Sequence, residues 1–199
     1  MCTSPIPLLV STRNPHKLRE IRTILGDPFE VSDLSILPTM HEVEETGTSF
    51  EENAELKAVA AAQLFEGWVI ADDSGLEVDA VGGAPGVYSA RYAGDAASDS
   101  ENNTLLLKNL KKVPEQERRA RFRCVIVLAR AGRKLAAFSG VVEGLIASCV
   151  RGVEGFGYDP LFMPDGFSQT FGELPVATKN RLSHRGRALD QLRAWGGWC

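Results

Sequence analysis

Two adjacent carboxylates, Asp72 and Asp73, directly follow the apolar segment 68–71 and precede Ser74. An apolar run bounded in this way predicts a buried strand with the acidic pair at its carboxyl end. Carboxylates held so close together either bind a divalent cation or repel each other at a cost. The glycine-rich segment 82–94 follows, and glycine lets a backbone approach a partner closely. A turn with Asp and Gly is common in proteins, but two acids after an apolar strand favour a functional site.

The polar segment 12–17 lies between a predicted strand at residues 7–11 and a predicted helix. Asn14 is predicted to cap this helix, with Pro15 at the first helical position and Gly26 beyond the end. Unpaired N–H groups at a helix start, with a lysine one turn in, favour an anion such as phosphate. The segment does not match the P-loop pattern, and a polar connection without a ligand is the alternative.

An acidic segment at residues 42–48 precedes a second predicted helix, which starts near Thr48 or Ser49 and continues to about Phe65. A solvated acidic loop near a helix start is one interpretation of this segment. The other is that one of its carboxylates joins Asp72 and Asp73 around a cation. Lys57, two turns into the helix, is either a surface lysine or, if the helix faces a phosphate ligand, part of its site.

Two later segments carry groups suited to a nucleobase. Glycines flank Phe156, which lets its ring stack on a base, whereas the alternative is a turn whose Phe156 and Tyr158 fill the core. Lys179, His184 and Arg185 supply hydrogen-bond donors that would read a carbonyl oxygen on a base. A histidine near a helix start is also common as a surface or packing residue.

The remaining elements are predicted from apolar patterning. Strands are expected at residues 76–80, 121–128, 135–138 and 141–146, and helices at residues 99–111 and 183–195, the last capped by Ser183. Strands in the middle of the chain with helices before and after predict an α/β domain with a mixed sheet.

The sequence has 199 residues, of which 44% are hydrophobic and 24% charged, with a net charge of −4. These values predict one globular domain over residues 1–199 and exclude disordered and fibrous classes. The acidic balance argues against a nucleic-acid partner, and no segment is long and apolar enough for a membrane span. Cys124 and Cys149 lie in apolar runs and are predicted to be buried, and the cysteines lack zinc spacing, so a reducing cytoplasm is expected.

Taken together, these segments resemble the inosine triphosphate pyrophosphatase family, and most of all its bacterial dITP/XTP pyrophosphatase branch. The matching motifs stand in the family's order, which is far more specific than any one of them. They are residues 12–17, 44–47, 50–57, 71–94, 120–124, 156–160 and 183–186.

The resemblance implies an elongated α/β fold, in which a mixed sheet with flanking helices forms two lobes around a central substrate cleft. It implies that non-standard purine nucleoside triphosphates such as ITP, dITP and XTP are hydrolysed to the monophosphate and pyrophosphate. It also implies a requirement for Mg²⁺ and a homodimer.

Site residues follow from the same motifs, position by position. The resemblance implies Asp73 as the proton acceptor and, with Glu45, as a metal ligand. It places Ser74 at the substrate and Lys57 near the phosphates. The implied phosphate-binding residues are Thr12, Arg13, Asn14, Pro15, His16 and Lys17. The implied nucleoside-binding residues are Phe156, Gly157, Tyr158, Asp159, Lys179, His184 and Arg185.

Arg13 departs from the family, in which Gly or Asn is frequent at this position. The arginine either limits how closely the backbone approaches the phosphates or adds a charge-assisted contact.

Two other classes of function stay open on the residues alone. A nucleotide-sensing module would bind the nucleotide without turnover, although the retention of Lys17, Glu45 and the acidic pair argues against it. A phosphatase with an aspartyl nucleophile at Asp72 or Asp73 would release orthophosphate instead of pyrophosphate.

Overall fold

The computed structural model describes residues 5–198, and within this range it contains six strands and five α-helices. The strands are β1 (Ile6–Val10), β2 (Phe29–Asp33), β3 (Trp68–Val78), β4 (Arg119–Arg130), β5 (Arg133–Ile146) and β6 (Phe162–Pro164). The helices are α1 (Pro15–Leu25), α2 (Phe50–Ala62), α3 (Asp99–Asn109), α4 (Val176–Leu182) and α5 (His184–Arg193). Short 3-10 helices span Leu34–Ile36, Asp79–Val81, Gly86–Arg91 and Glu115–Glu117.

The strands form one sheet in the order β2-β1-β3-β4-β5-β6. Strand β1 pairs in parallel with β2 and β3, whereas β5 and β6 are antiparallel. The prediction of an α/β fold with a mixed sheet and flanking helices is therefore confirmed. The elongated shape, the cleft and the single domain over residues 1–199 stay predictions. In the described part of the chain, no helix is both long and apolar enough to cross a bilayer.

The chain divides into two compact units. The first unit comprises the residues up to Asp73, Cys124–Gly140 and the residues from Arg185 onward. The second unit comprises Ser74–Arg123 and Val141–His184. Each of β3, β4 and β5 contributes residues to both units, because the unit boundaries fall inside these strands.

The core of the first unit lies where α1 and α5 pack against the sheet. Ile21 and Leu25 of α1 are fully buried with Leu8 of β1 and with Leu189 and Leu192 of α5. The spacing of these positions along each helix places them on one face, which the hydrophobic effect drives against the strands.

Three tryptophans cluster in the first unit at the start of β3 and at the C-terminal end of the described chain. The ring centroid of Trp68 lies 5.6 Å from that of Trp195 and 5.3 Å from that of Trp198. The interplanar angles of 81° and 72° are those of edge-to-face contacts, which aromatic rings prefer. The guanidinium of Arg130 lies over the Trp68 ring, 4.6 Å from its centroid.

The core of the second unit is built around α3 and three phenylalanines. Leu106 and Leu110 are buried with a cluster in which Phe122 stacks on Phe171 and lies 4.8 Å from Phe162. Helix α3 is fixed at its start by a capping box between Ser98 and Glu101.

Three predictions about local structure were wrong. Strand β3 runs unbroken through Asp72–Gly75, so the acidic pair lies inside the strand and not at its end. Strand β5 is likewise continuous where two strands were predicted. Cys149 is exposed, whereas Cys124 is buried as expected. Ser183 precedes α5 as predicted, but it also ends α4, a helix that the sequence patterning did not indicate.

Candidate active site

Asp72 and Asp73 have different surroundings because successive side chains of a strand point to opposite faces. Both are buried in β3. Asp72 pairs with Lys17 and Arg185, whereas Asp73 pairs with Lys57. The expected single acidic cluster is therefore divided into two neighbouring networks of the first unit.

The first network is a buried set of charges around Asp72. Asp72 Oδ2 lies 3.1 Å from Lys17 Nζ and 3.0 Å from Arg185 Nη2. Burial alone would raise the pKa of Asp72, but the positive charges of Lys17 and Arg185 outweigh it and hold the pKa far below its ordinary value. Asp72 is therefore a permanent carboxylate that fixes two cations.

Glu20 completes this network, and the sequence patterning missed it. Arg185 Nη1 donates to Glu20 Oε2 at 2.5 Å, so the buried guanidinium bridges Glu20 and Asp72. Glu20 follows Lys17 by three residues on α1, which places the two on one helix face. That spacing is the only signal the sequence offers for it. The predicted contact of Arg185 with a nucleoside stays a prediction, and the structure places its side chain in these ion pairs.

The second network centres on Lys57. Its Nζ lies 2.6 Å from Glu45 Oε1 and 3.2 Å from Asp73 Oδ1, so Glu45 and Asp73 face the same point. Burial would lower the pKa of Lys57, but Asp73, Asp72 and Glu45 raise it, and the ammonium stays charged. Burial raises the pKa of Asp73, with Glu45 and Asp72 adding to the effect and Lys57 opposing it.

Asn53 holds the other side of Asp73 and was also missed. Its Nδ2 donates to Asp73 Oδ2 at 3.3 Å, and its Oδ1 accepts from the backbone N–H of Gly47 at 2.8 Å. A Cβ on Gly47 would lie only 2.6 Å from Asn53 Oδ1, so the glycine is needed for this approach. The available signal was the spacing of Asn53 and Lys57, one turn apart on α2.

Glu45 and Asp73, the two predicted metal ligands, both face the Lys57 ammonium. Within residues 5–198, no group of three or more His, Cys, Asp or Glu side chains is arranged as a metal cluster. Two carboxylates that face one cationic atom nevertheless fit Mg²⁺, which uses one or two protein carboxylates and completes its shell with water and phosphate oxygens.

The predicted phosphate segment forms the start of α1. Asn14 caps the helix as predicted, and its Oδ1 accepts from the backbone N–H groups of His16 and Lys17. The sequence suggested that these N–H groups are unpaired. In the structure they are paired, because the Asn14 side chain accepts from both of them. Thr12 Oγ1 accepts in turn from the Asn14 N–H. The Arg13 guanidinium donates to the Met40 carbonyl at 2.9 Å.

Pro15 occupies the first helical position and is exposed, as is His16, whereas Lys17 is half-buried. Ser74 is half-buried in β3, directly after Asp73. Phosphate contacts of the segment 12–17 and a substrate contact of Ser74 stay predictions.

In the second unit, the loop around Phe156 is organised by Asp159. Asp159 Oδ2 accepts from the Phe156 N–H at 2.8 Å and from Lys179 Nζ at 2.5 Å. The Lys179 ammonium lies 5.1 Å from the centroid of the half-buried Phe156 ring. Three predicted nucleoside-binding residues, Phe156, Asp159 and Lys179, are thereby brought together. They present an aromatic face and a cation that Asp159 holds in place.

Two further predicted residues lie in the core of the second unit. The Tyr158 ring is buried, and its hydroxyl donates to the Ser89 carbonyl at 3.0 Å. Burial raises the pKa of Tyr158 well above its ordinary value. The His184 ring is buried and stacks on Phe122 at 4.8 Å with an interplanar angle of 11°. Both side chains serve packing in this structure, and their nucleoside contacts stay predictions.

Comparisons with known proteins agree with this α/β fold. The profile of the Ham1 family matches residues 8–195. A dITP/XTP pyrophosphatase of Geobacter sulfurreducens is 53% identical over 192 residues, which cover 96% of each chain. The Ham1 protein of Staphylococcus aureus superposes with a TM-score of 0.84 at 42% identity, covering 94% of this chain and 96% of its own. A HAM1 protein from Coxiella burnetii gives a TM-score of 0.85 at 39% identity, with coverages of 95% and 97%. This chain belongs to the Ham1 family.

Proposed function

We propose that this protein hydrolyses non-standard purine nucleoside triphosphates, ITP, dITP and XTP, to the monophosphate and pyrophosphate, and so removes them from the nucleotide pool. The observation that carries the proposal is the approach of Glu45 and Asp73 to one point beside Lys57. The name of the Geobacter relative, at 53% identity over nearly the full length, supports the substrate class.

A nucleoside triphosphate brings several negative charges to a protein whose net charge is −4, so neutralisation must be local. Lys17 and Lys57 supply two cations, each already oriented by a buried carboxylate of β3. Because Asp72 and Asp73 hold these lysines in place, little side-chain entropy remains to be lost when phosphate oxygens approach.

Mg²⁺ is part of the proposal, with Glu45 and Asp73 as its protein ligands. When bound, it would draw negative charge from the phosphate oxygens and from the leaving pyrophosphate. The site fits this ion because the two carboxylates already face a cation, the Lys57 ammonium.

Asp73 is proposed to accept the proton of the water that attacks the α-phosphorus. A general base works best when its pKa is closer to the operating pH, and the pKa of Asp73 is raised by burial and by the neighbouring carboxylates. Asn53 orients the carboxylate through its hydrogen bond to Oδ2.

Selectivity for the 6-oxo purines has a direct chemical basis. Inosine and xanthine rings present an accepting oxygen at position 6, whereas adenine presents a donating amino group. The proposed donors to this oxygen are Lys179, His184 and Arg185. A donor that faces the adenine amino group would be left unpaired, which strongly disfavours the binding of adenine nucleotides. Lys179 is the best placed of these residues, beside the Phe156 ring.

A homodimer in the cytoplasm is also proposed, on the family resemblance and the cysteine content. Gel filtration with light scattering tests the dimer, since a mass near 21.6 kDa would indicate a monomer.

The decisive experiment is a panel of purine nucleoside triphosphates with and without Mg²⁺, in which pyrophosphate and orthophosphate are measured separately. We expect pyrophosphate from ITP, dITP and XTP, and little product from ATP. Tight ITP binding without any product would favour a sensing module instead. Orthophosphate with a phospho-enzyme would favour an aspartyl nucleophile.

A further inference from the structure

We propose that Asp99 and Asn103 of α3 are positioning residues for nucleoside binding, acting through the backbone of Gly157. The inference rests on the proposed function, since it concerns how the Phe156 loop is held for a purine nucleotide. Neither residue carries a motif assignment in the sequence.

The two side chains form hydrogen bonds to one residue of the loop, Gly157, from one face of α3. Asp99 Oδ2 accepts from the Gly157 N–H at 2.6 Å, and Asn103 Nδ2 donates to the Gly157 carbonyl at 2.9 Å. Residues four apart on a helix lie one above the other, so α3 presents an acceptor and a donor at the spacing of one peptide. Both bonds cross more than fifty positions of sequence, so they fix tertiary and not local structure.

The start of α3 is capped without either contact. The helix start is already capped by Ser98 and Glu101, which satisfy each other's backbone N–H groups. Asp99, in the first turn, directs its carboxylate to Gly157 instead. Its role at the helix start is therefore additional to the cap.

Asn103 is retained at an energetic cost. The residue is buried, and its Oδ1 has no hydrogen-bond partner among the residues that the structure describes. A buried acceptor without a partner costs about 1–3 kcal/mol, and asparagine is a poor helix former. A leucine would fill similar space without that cost, so the amide is explained by its bond to the Gly157 carbonyl.

These two hydrogen bonds hold the loop that contains Phe156. Gly157 has φ +62°, a conformation in which other residues are strained, and it follows Phe156 directly. On the other side, Asp159 binds the Phe156 N–H and Lys179. The backbone beside the Phe156 ring is thus held by Asp159 on one side and by α3 on the other.

The test separates binding of the nucleoside from catalysis on the phosphates. We expect Asn103→Leu and Asp99→Ala to raise KM for ITP about tenfold while kcat changes less than about threefold. In calorimetry with Mg²⁺, inosine monophosphate should bind to the two variants about tenfold more weakly than to the unmodified protein. Inorganic pyrophosphate should bind to the variants and to the unmodified protein with the same affinity. Asp99→Asn keeps an accepting oxygen and should restore KM. Asn109→Leu makes the same chemical change at an exposed position of α3 and serves as the control.

An unchanged KM in Asp99→Ala would overturn the inference, and so would a loss of kcat and melting temperature at unchanged KM, which indicates a merely structural role. Asp99 is exposed, so its variant remains informative even if Asn103→Leu fails to fold. If the unmodified protein neither binds nor hydrolyses ITP, the proposed function fails and this inference with it. If that protein is active and the variants match it, only this inference fails.

Discussion

Gly155 and Asp159 are in contact because residue 155 has no side chain: a Cβ added to Gly155 would overlap Asp159 Oδ2. That oxygen also accepts from the Phe156 N–H and from Lys179. The glycine therefore makes room for the carboxylate on which the loop is organised.

Gly155→Ala should lower the free energy of unfolding more than Gly157→Ala does. Both glycines have positive φ, of +78° and +62°, so each substitution carries a backbone cost of about 1–2 kcal/mol. Only the first also displaces Asp159, because a Cβ at Gly157 meets nothing within 4 Å. Urea unfolding of the two variants measures the difference, and equal effects would contradict the contact.

Asp73→Asn should reduce kcat by roughly 10²–10⁴-fold, because an amide cannot accept the proton of the attacking water. Pyrophosphate release at saturating Mg²⁺ and ITP measures this, so that weaker metal binding does not obscure the result. Asp190→Asn makes the same change at an exposed position of the first unit and should retain normal turnover. Near-normal turnover in Asp73→Asn would remove the residue from the role of proton acceptor.

Glu45→Gln should raise the Mg²⁺ concentration for half-maximal activity by roughly tenfold or more, with much of kcat recovered at high Mg²⁺. The amide oxygen is a weaker ligand than the carboxylate, but it can still accept from Lys57. Glu44→Gln, at the exposed neighbouring position, is the matched control. Full chelation of Mg²⁺ should abolish turnover, and a superimposable Mg²⁺ titration for Glu45→Gln would exclude this residue as a ligand.

Asp72→Asn should destabilise the protein at neutral pH by about 3–5 kcal/mol, since it removes a buried carboxylate that pairs with both Lys17 and Arg185 and leaves Arg185 with Glu20 alone of its two acidic partners. The folded-state pKa of Asp72 lies below its ordinary value of 3.8, so this stabilisation is fully present above about pH 4. As the pH falls below that value, the unfolded chain takes up a proton that the folded chain does not. The gap in unfolding free energy between the unmodified protein and the variant should therefore narrow.

Urea unfolding at several pH values between 3 and 7 follows this gap. A gap that stays constant down to pH 3 would show that the pKa of Asp72 is not lowered by folding.

The elements predicted correctly from the sequence are those that local interactions define. Helix α1 begins after Asn14 and ends before Gly26 because the cap and the glycine act within one turn of the chain. The predicted end of a strand at Asp72 and the predicted break between residues 138 and 141 were both wrong. Pairing with neighbouring strands and burial overrode local preference at both places, and neither is visible in a local window.

Within the site, too, the residues that could be predicted from the sequence depend on how far apart the partners lie along the chain. The pairing of Glu45, Lys57 and Asp73 lay within the expected motifs, and the structure brings these side chains together. Glu20 was missed because its partner Arg185 is 165 positions away, and no local pattern marks such a pair. Asn53 was missed for a different reason, since a buried amide on a helix resembles any other polar residue until its partners are known.

The tryptophan cluster gives the first unit an optical signature of its own. Trp68, Trp195 and Trp198 are all the tryptophans of the sequence, and all three belong to that unit. Indole emission during a denaturant titration therefore reports the melting of one half of the molecule, whereas circular dichroism averages over both. Coincident fluorescence and circular dichroism curves would identify one cooperative transition. Separated curves would show that the two units unfold one after the other.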